Sequence, residues 1–153
     1  SGVTMFELSQ NVDSGDVMAA ESFEVDPDET ATSLYGKASK AHVALIRRTW
    51  PELIEGTLRG QPQDETKVTH WLQRRPADGK ITEKMTLKEI DRLVRATTRP
   101  YPGAFLVVDS KKLIIWSGKI VDAARSQFDI GLLVRGNLCF EPSDYQWLEY
   151  DTS

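Results

Sequence analysis

The sequence has little of what would stabilise a secreted protein or place a chain in a membrane. A single cysteine, Cys139, cannot form an internal disulfide. No apolar run approaches the roughly 20 residues that a membrane helix needs, and no charged-then-apolar leader opens the chain. We therefore expect a cytoplasmic protein with no membrane partner, in which Cys139 is a small buried hydrophobe.

Positive charge is missing from the start of the chain. Residues 1–36 carry eight acidic groups and no Lys or Arg, residues 37–99 carry fourteen basic and eight acidic groups, and residues 100–153 carry five basic and seven acidic groups. Only the middle third therefore offers an electrostatic attraction for phosphate, and the excess there is modest. This distribution disfavours a nucleic-acid-binding C-terminal part.

What is present is ordinary globular composition, with 153 residues of which 40% are hydrophobic and 27% charged. Residues 2–8 and 17–25 read as two strands around the turn signal DSG at 13–15. In such a turn, an aspartate commonly accepts hydrogen bonds from the backbone amides that follow it. A hairpin with the carboxylate of Asp13 at its tip is the first prediction.

Helical periodicity follows the hairpin. Asp28 or Thr30 can cap a helix, and one buried face is predicted by five apolar residues at spacings of three and four: Leu34, Ala38, Ala41, Leu45 and Ile46. A further helical turn is predicted to restart at Pro51 and to end near Gly56.

Residues 57–84 lack periodicity and read as a surface linker. A second helix is predicted over 86–97, because Thr86 and Glu89 have capping-box spacing and Pro100 prevents continuation. Arg95 is interpreted as a helix anchor through hydrogen bonds.

The last third changes to strand patterns separated by turn residues. A hairpin is predicted from 105–108 and 113–116, followed by short strands at 119–121, 131–134 and 138–140. This composition is typical of a small β-barrel or β-sandwich. A rigid turn formed by Tyr101, Pro102 and Gly103 is predicted to lead into it.

Four ordered motifs carry a family resemblance. The first consists of GVT at 2–4 together with VDSGDVM at 12–18, and the other three are QPQ at 61–63, RRPADGKI at 74–81 and RATTRPYPGAF at 95–105. In this order and spacing they resemble the folate-dependent formyltransferases, a family that includes methionyl-tRNA formyltransferases and sugar N-formyltransferases. The resemblance covers about residues 2–120.

The resemblance implies both a fold and a site. It implies an α/β fragment from the distal edge of a Rossmann-like catalytic domain (1–60), a linker and helix (61–103) and a small C-terminal β-rich domain, either an OB-like barrel or a hairpin (104–153). Asp13 falls on the catalytic aspartate. Asn11, Val12 and Gly15 fall where the loop lines the folate, so the implied cofactor is 10-formyltetrahydrofolate. Gly15 either has a positive φ or admits close approach of the ligand.

In the family, a histidine and an asparagine from an Asn-x-His-Pro motif assist the aspartate, and this sequence has no such motif. The chain is therefore expected to be the C-terminal half of a longer formyltransferase and inactive alone. His42 and His70 are not replacements, since they have no acidic or cysteine partner at metal-ligand spacing and read as surface residues. No metal site is predicted.

The partners expected from the resemblance are a folate and an amine acceptor. Arg74 and Arg75 are weaker candidates to bind an acceptor phosphate through their forked donors, with a solvated pair as the alternative. A nucleotide-linked amino sugar is slightly favoured as acceptor over methionyl-tRNA, because residues 100–153 are net acidic.

Two other interpretations remain open. The chain could be a non-enzymatic β module that binds an oligonucleotide or a protein. Residues 1–60 could also mediate a homodimer through an exposed strand edge and apolar face.

Overall fold

The computed structural model describes residues 1–128 and 130–149. Its contacts divide the chain into two compact units. The first unit comprises Ser1–Pro27 and Ser33–Leu72, and the second comprises Asp28–Thr32 and the chain from Gln73 onward. Each unit is described by itself.

The first unit contains an antiparallel hairpin. β1 (Gly2–Phe6) pairs with β2 (Val17–Ser22), with Val3 opposite Glu21 and a register shift between Met5 and Phe6. The two strands are shorter than predicted, but the hairpin itself is confirmed.

The helix α1 (Ala31–Ile54) packs against this hairpin over a small cluster, although its first two residues belong to the second unit. Ala41 and Leu45 are buried with Val3 of β1. Ile46, predicted on the same face, is exposed. It lies about 100° around the helix from Leu45 and so leaves the buried face.

α1 continues through Pro51, so the predicted restart at that residue is wrong. Proline lacks only its own N–H, and Pro51 lies in the last turn, where few bonds depend on it. The helix ends as expected near Gly56, which has φ +67° and donates its N–H to the carbonyl of Leu53 at 3.2 Å. Within the described residues, no helix combines the length and the apolar character that spanning a membrane requires.

Between α1 and the second helix, the chain forms two 3₁₀ turns, Glu65–Lys67 and Pro76–Gly79. Asp64 caps the first turn, and hydrogen bonds led by the Thr66 hydroxyl hold the pKa of its carboxyl below the usual 3.8. Gln61 forms a backbone bridge with Val17 of β2. This bridge ties the start of the segment to the hairpin.

The second unit begins with a well-capped helix, α2 (Leu87–Thr97). The Thr86 hydroxyl accepts from the Glu89 N–H, and the Glu89 carboxylate accepts from the Thr86 N–H at 2.7 Å. Leu87, Ile90 and Val94 form its buried face. The predicted helix and its capping box are confirmed.

α2 packs on one antiparallel sheet with the strand order β3-β4-β6-β5. These strands are β3 (Ala104–Val108), β4 (Lys111–Asp122), β5 (Val134–Arg135) and β6 (Leu138–Glu149). The core between helix and sheet contains ten buried apolar residues: Ile81, Leu87, Ile90, Val94, Ala104, Leu106, Leu113, Ile115, Leu133 and Phe140. The β-rich C-terminal part is thus confirmed.

The individual strands differ from the predicted ones. Residues 119–121 are the continuation of β4, because the strand passes through a bulge at Ser117. Gly131–Leu133, part of a predicted strand, is a 3₁₀ turn. The strand that follows it, β5, contains the two residues Val134 and Arg135. Cys139 is buried as predicted. The named strands pair only antiparallel in the described part of the chain, so they do not show the Rossmann-like part that the resemblance implies.

Candidate functional site

The connection between β1 and β2 holds Asp13 at its tip. Its base is closed by the Glu7 N–H, which donates to the Asp16 carbonyl at 3.0 Å. Asp13 has φ 55°, a left-handed conformation that aspartate adopts more readily than most residues. The Gln63 side-chain amide donates to the carbonyls of Asp13 (2.8 Å) and Gly15 (2.7 Å). The backbone at the tip is therefore fixed from the 61–63 segment.

The side chain of Asp13 is exposed. Among the residues that the structure describes, its carboxylate accepts no hydrogen bond and forms no ion pair. The turn is instead stabilised by Ser9 and Ser14, whose hydroxyls donate to the Asn11 carbonyl at 3.0 and 3.2 Å. The carboxylate is thus not needed to form the turn, contrary to the usual role of aspartate in such loops.

Gly15 is required by a close approach of the backbone. A Cβ built there would lie 1.8 Å from the Glu7 carbonyl oxygen, so no other residue fits without opening the hairpin. Its φ is not positive, so that predicted alternative is wrong; Asp13 has the positive φ instead. The atoms that come close to Gly15 are those of Glu7.

Asn11 and Val12 lie on the same tip, and both are exposed, with 91% of Val12 accessible. An exposed valine at a loop tip contributes nothing to the core of the unit. Their folate contacts stay a prediction.

Arg74 and Arg75 lie in the second unit, at the edge of a pocket of about 560 Å³. The Arg75 N–H donates to Asp78 Oδ2 at 2.7 Å, which starts the 3₁₀ turn Pro76–Gly79. The pocket lies between this turn, the last turn of α2 and the turn before β3. It is lined by Arg74, Arg75, Pro76, Asp78, Gly79, Leu93, Ala96, Thr97, Tyr101, Pro102 and Gly103.

The predicted rigid turn shapes one wall of this pocket. Gly103 has φ +89°, and a Cβ there would lie 2.6 Å from Ile114 Cγ2. Its N–H donates to the Thr97 carbonyl at 2.9 Å, which joins the end of α2 to the start of β3. Tyr101, which is 45% exposed, also lines the pocket. Sequence reasoning treated this turn as structural and missed the pocket.

The arginines of the second unit fall into two groups. Arg95 pairs with Asp91 at 3.0 Å and donates to the Glu29 carbonyl, which confirms its predicted role as a helix anchor. Arg99 pairs with Asp144 and lies over the Trp116 ring. In contrast, neither Arg74 nor Arg75 has an acidic partner for its guanidinium within the described residues. Their charge is available to a ligand.

The two histidines do not form a site. His42 is exposed on α1, with Nδ1 2.8 Å from the Ala38 carbonyl, and His70 is exposed in the 57–84 segment. Both are surface residues, as predicted. In residues 1–128 and 130–149, no group of three His, Cys, Asp or Glu side chains could hold a metal ion.

Comparison with known proteins gives a family match within the second unit. Residues 74–140 match the family described as formyl transferase, C-terminal domain. The match begins at the two pocket arginines and ends in β6.

Solved structures extend the similarity in fold to both units. A methionyl-tRNA formyltransferase from Clostridium thermocellum has a TM-score of 0.67 at 19% identity, over 97% of this chain and 56% of that chain. A 4-N formyltransferase from Francisella tularensis has a TM-score of 0.60 at 21% identity, over 69% and 45%. HypX from Aquifex aeolicus in complex with tetrahydrofolic acid has a TM-score of 0.65 at 23% identity, over 80% and 21%.

The chain thus spans about half the length of the methionyl-tRNA formyltransferase that it matches. Together, the matched family and these folds agree with the four motifs. Residues 74–140 match the formyl transferase C-terminal domain, and the fold of the chain is similar to those of solved formyltransferases.

Proposed function

We propose that this chain takes part in the transfer of a formyl group from 10-formyltetrahydrofolate to an acceptor amine. The observation that supports this most directly is the environment of Asp13 at the tip of the β1–β2 connection. Its backbone is held by Gln63, while its carboxylate is exposed and unbonded among the described residues. A carboxylate in this state is free to accept a proton from a bound amine.

The reaction has three chemical requirements. The amine nitrogen attacks the formyl carbon and loses a proton, the oxygen that becomes negative needs a donor, and tetrahydrofolate leaves as a proton is returned to its nitrogen. Asp13 serves the first requirement as base or proton relay. Asn11, Val12 and Gly15 line the folate in this proposal.

The second requirement is not met by these 153 residues, because the family's Asn-x-His-Pro motif does not occur in them. The proposed reaction therefore needs an asparagine and a histidine from another polypeptide segment. We assign residues 1–60 to the catalytic part, 61–103 to a linker and helix and 104–153 to the small β domain. The 153-residue chain alone is expected to be inactive.

The acceptor that we favour is a nucleotide-linked amino sugar, with methionyl-tRNA second. The solved structures of similar fold include a methionyl-tRNA formyltransferase and a 4-N formyltransferase. Residues 100–153 carry five basic and seven acidic groups, whereas a tRNA-binding surface needs many phosphate contacts from Lys and Arg.

The test uses the longest natural polypeptide that contains this chain. The release of tetrahydrofolate from 10-formyltetrahydrofolate is followed by absorbance, with each candidate amine as acceptor. Asp13→Asn should lower kcat by roughly 10²-fold to 10⁴-fold. Asparagine also tolerates a positive φ, so the hairpin should persist.

Glu7→Gln is the matched control, since it neutralises an exposed carboxylate in the same loop. It should retain wild-type activity. Full activity of Asp13→Asn, with an unchanged circular dichroism spectrum, would exclude Asp13 from the chemistry.

A further inference from the structure

A short segment of the first unit, residues 60–63, lies against the start of β2, beside the connection between β1 and β2. Gln61 and Val17 exchange two backbone hydrogen bonds, with N···O distances of 2.8 and 2.9 Å. Gly60 permits this close approach, since a Cβ there would lie 2.6 Å from the Cβ of Asp16. The backbone of the segment is therefore held against β2 by contacts that do not involve the side chain of its last residue.

That last residue, Gln63, binds the loop through its side-chain amide. Its Nε2 donates to the carbonyl oxygens of Asp13 and Gly15 at 2.8 and 2.7 Å. Both partners are carbonyl oxygens, which only accept, so the amide nitrogen with its two hydrogens has to face them. One side chain thus binds the carbonyls of the two residues that flank Ser14.

The conformation that these bonds hold is a costly one for a residue with a side chain. Asp13 has φ 55°, and this left-handed region persists only where surrounding contacts offset its cost. The hydroxyls of Ser9 and Ser14 bind the carbonyl of Asn11, which precedes Asp13. Gln63 binds the carbonyl of Asp13 itself. Because this carbonyl and the Cβ of Asp13 are attached to the same Cα, fixing the carbonyl limits the directions in which the carboxylate can point.

We propose that Gln63 is a positioning residue, whose two hydrogen bonds aim the Asp13 carboxylate at the amine nitrogen that it deprotonates. This inference rests on the proposed role of Asp13 in formyl transfer. A general base acts within hydrogen-bond reach of its proton, roughly 2.6–3.2 Å, and a misplacement of about 1 Å can cost roughly 10²-fold in rate. Gln63 itself contacts neither substrate. Its loss should therefore lower kcat and leave both KM values nearly unchanged.

The kinetic test uses the longest natural polypeptide that contains this chain, with 10-formyltetrahydrofolate and the amine that it formylates. Gln63→Met keeps the length of the side chain and removes both donors. It should lower kcat roughly 10-fold to 100-fold, with KM values within about twofold of wild type. Gln63→Glu should lose at least as much, because an ionised carboxylate only accepts and would face two carbonyl oxygens. Wild-type kcat in both variants, or a raised KM at unchanged kcat, would overturn the proposal.

Gln61→Met is the matched control. Gln61 is exposed, it binds Val17 through its backbone, and its side-chain amide has no hydrogen bond in the part of the chain that the structure describes. The substitution removes the same amide group from the same segment, so its kcat should equal that of wild type. An equal loss in Gln61→Met and Gln63→Met would ascribe the effect to the segment as a whole and contradict the proposal.

A double-mutant cycle separates a positioning role from a general structural one. If Gln63 acts through the carboxylate of Asp13, Gln63→Met should cause no further loss of kcat in an Asp13→Asn background. The same fold-loss in both backgrounds would show that Gln63 supports the site independently of Asp13 and would reject the positioning role. Wild-type kcat of Gln63→Met beside a slow Asp13→Asn would reject the positioning role and leave the proposed function standing. Full activity of Asp13→Asn would reject the proposed function, and this inference with it.

Amide NMR of the 153-residue protein gives a readout that needs no substrate. The N–H of a residue shares its peptide group with the preceding carbonyl, so the amide signals of Ser14 and Asp16 report on the two hydrogen bonds from Gln63. In Gln63→Met these two signals should shift, and those of β1 and β2 should stay in place. Shifts throughout both strands would mean that Gln63 holds the hairpin rather than Asp13, and unchanged signals of Ser14 and Asp16 would mean that the bonds are not formed. Either result would overturn the proposal.

Discussion

The first and second units of this chain bury apolar side chains to different extents. The core of the second unit contains ten buried apolar residues from α2, the sheet, the segment before α2 and the 3₁₀ turn Gly131–Leu133. The corresponding cluster of the first unit contains three buried residues, Val3, Ala41 and Leu45. The matched C-terminal domain, residues 74–140, lies wholly in the better packed unit.

The first unit also exposes apolar side chains in a regular pattern. Val43, Ile46, Trp50 and Leu53 of α1 are all exposed and are spaced by three, four and three residues. They form a stripe on the side of α1 away from Ala41 and Leu45. A helix with apolar residues on two faces is typical of an element buried on both sides. From this difference we expect the second unit, and not the first, to fold on its own core.

The largest expected difference between the two units is in how each one unfolds when it is produced as a separate fragment. A fragment of residues 73–153 is expected to show a cooperative urea transition, because it retains all ten residues of the core and none of the first unit. A fragment of residues 1–72 should lack such a transition, since three buried residues cannot offset the entropy of ordering it. Circular dichroism and amide NMR dispersion measure both. Cooperative unfolding of residues 1–72 would refute the distinction.

Truncation in each core should give the next largest effect. Phe140→Ala in the second unit should cost about 3–5 kcal/mol, because the ring is fully buried and lies against the backbone at Gly118. Leu45→Ala in the first unit should cost about 2–3 kcal/mol, at the low end of its class, since a small cluster can relax around the cavity.

Native-state hydrogen exchange measures the effect of each substitution on the stability of each unit separately. Phe140→Ala should lower the protection of amides in the second unit, and Leu45→Ala should lower protection in the first unit only. Equal losses in both units from either substitution would show that the chain unfolds as one cooperative body.

The sequence predicted best those features that depend on neighbours along the chain. The α2 capping box could be read from Thr86 and Glu89 because both partners lie within one turn. The hairpin at Asp13 could be read from its turn residues, and its backbone is now seen to be fixed by Gln63, fifty residues away. That tertiary contact could not be predicted from the residues around Asp13.

The misread elements fail for the same physical reason. Residues 117–118 separated two predicted strands, yet β4 continues through them. A Cβ at Gly118 would lie 2.4 Å from the Phe140 ring, so the strand can pass close to this ring only with glycine there. Ile46 matched the helical period but is exposed. The pocket joins Arg74 and Tyr101, which are brought together only by the packing of α2 against the sheet. Long-range packing decided each of these.

The smallest expected effect is the pH dependence of folding stability that arises from the capping box of α2 in the second unit. Hydrogen bonds from the backbone N–H and then the hydroxyl of Thr86 hold the pKa of the Glu89 carboxyl below its usual 4.5. A carboxyl whose pKa is lower in the folded state stabilises it above the unfolded pKa, and this contribution is lost as pH falls through the folded pKa. The contribution of Glu89 to stability should therefore be constant above about pH 5 and should decline below 4.5.

Glu89→Gln should flatten this decline, because glutamine keeps a hydrogen-bond acceptor for the Thr86 N–H without titrating. Urea midpoints measured between about pH 6 and pH 3 on the fragment of residues 73–153 would show the difference. Glu52→Gln in α1 is the control in the intact chain, since Glu52 is exposed and its carboxylate has no hydrogen bond among the residues described. A wild-type decline in Glu89→Gln would mean that other carboxyl groups, and not the capping box, set the acid sensitivity of the second unit.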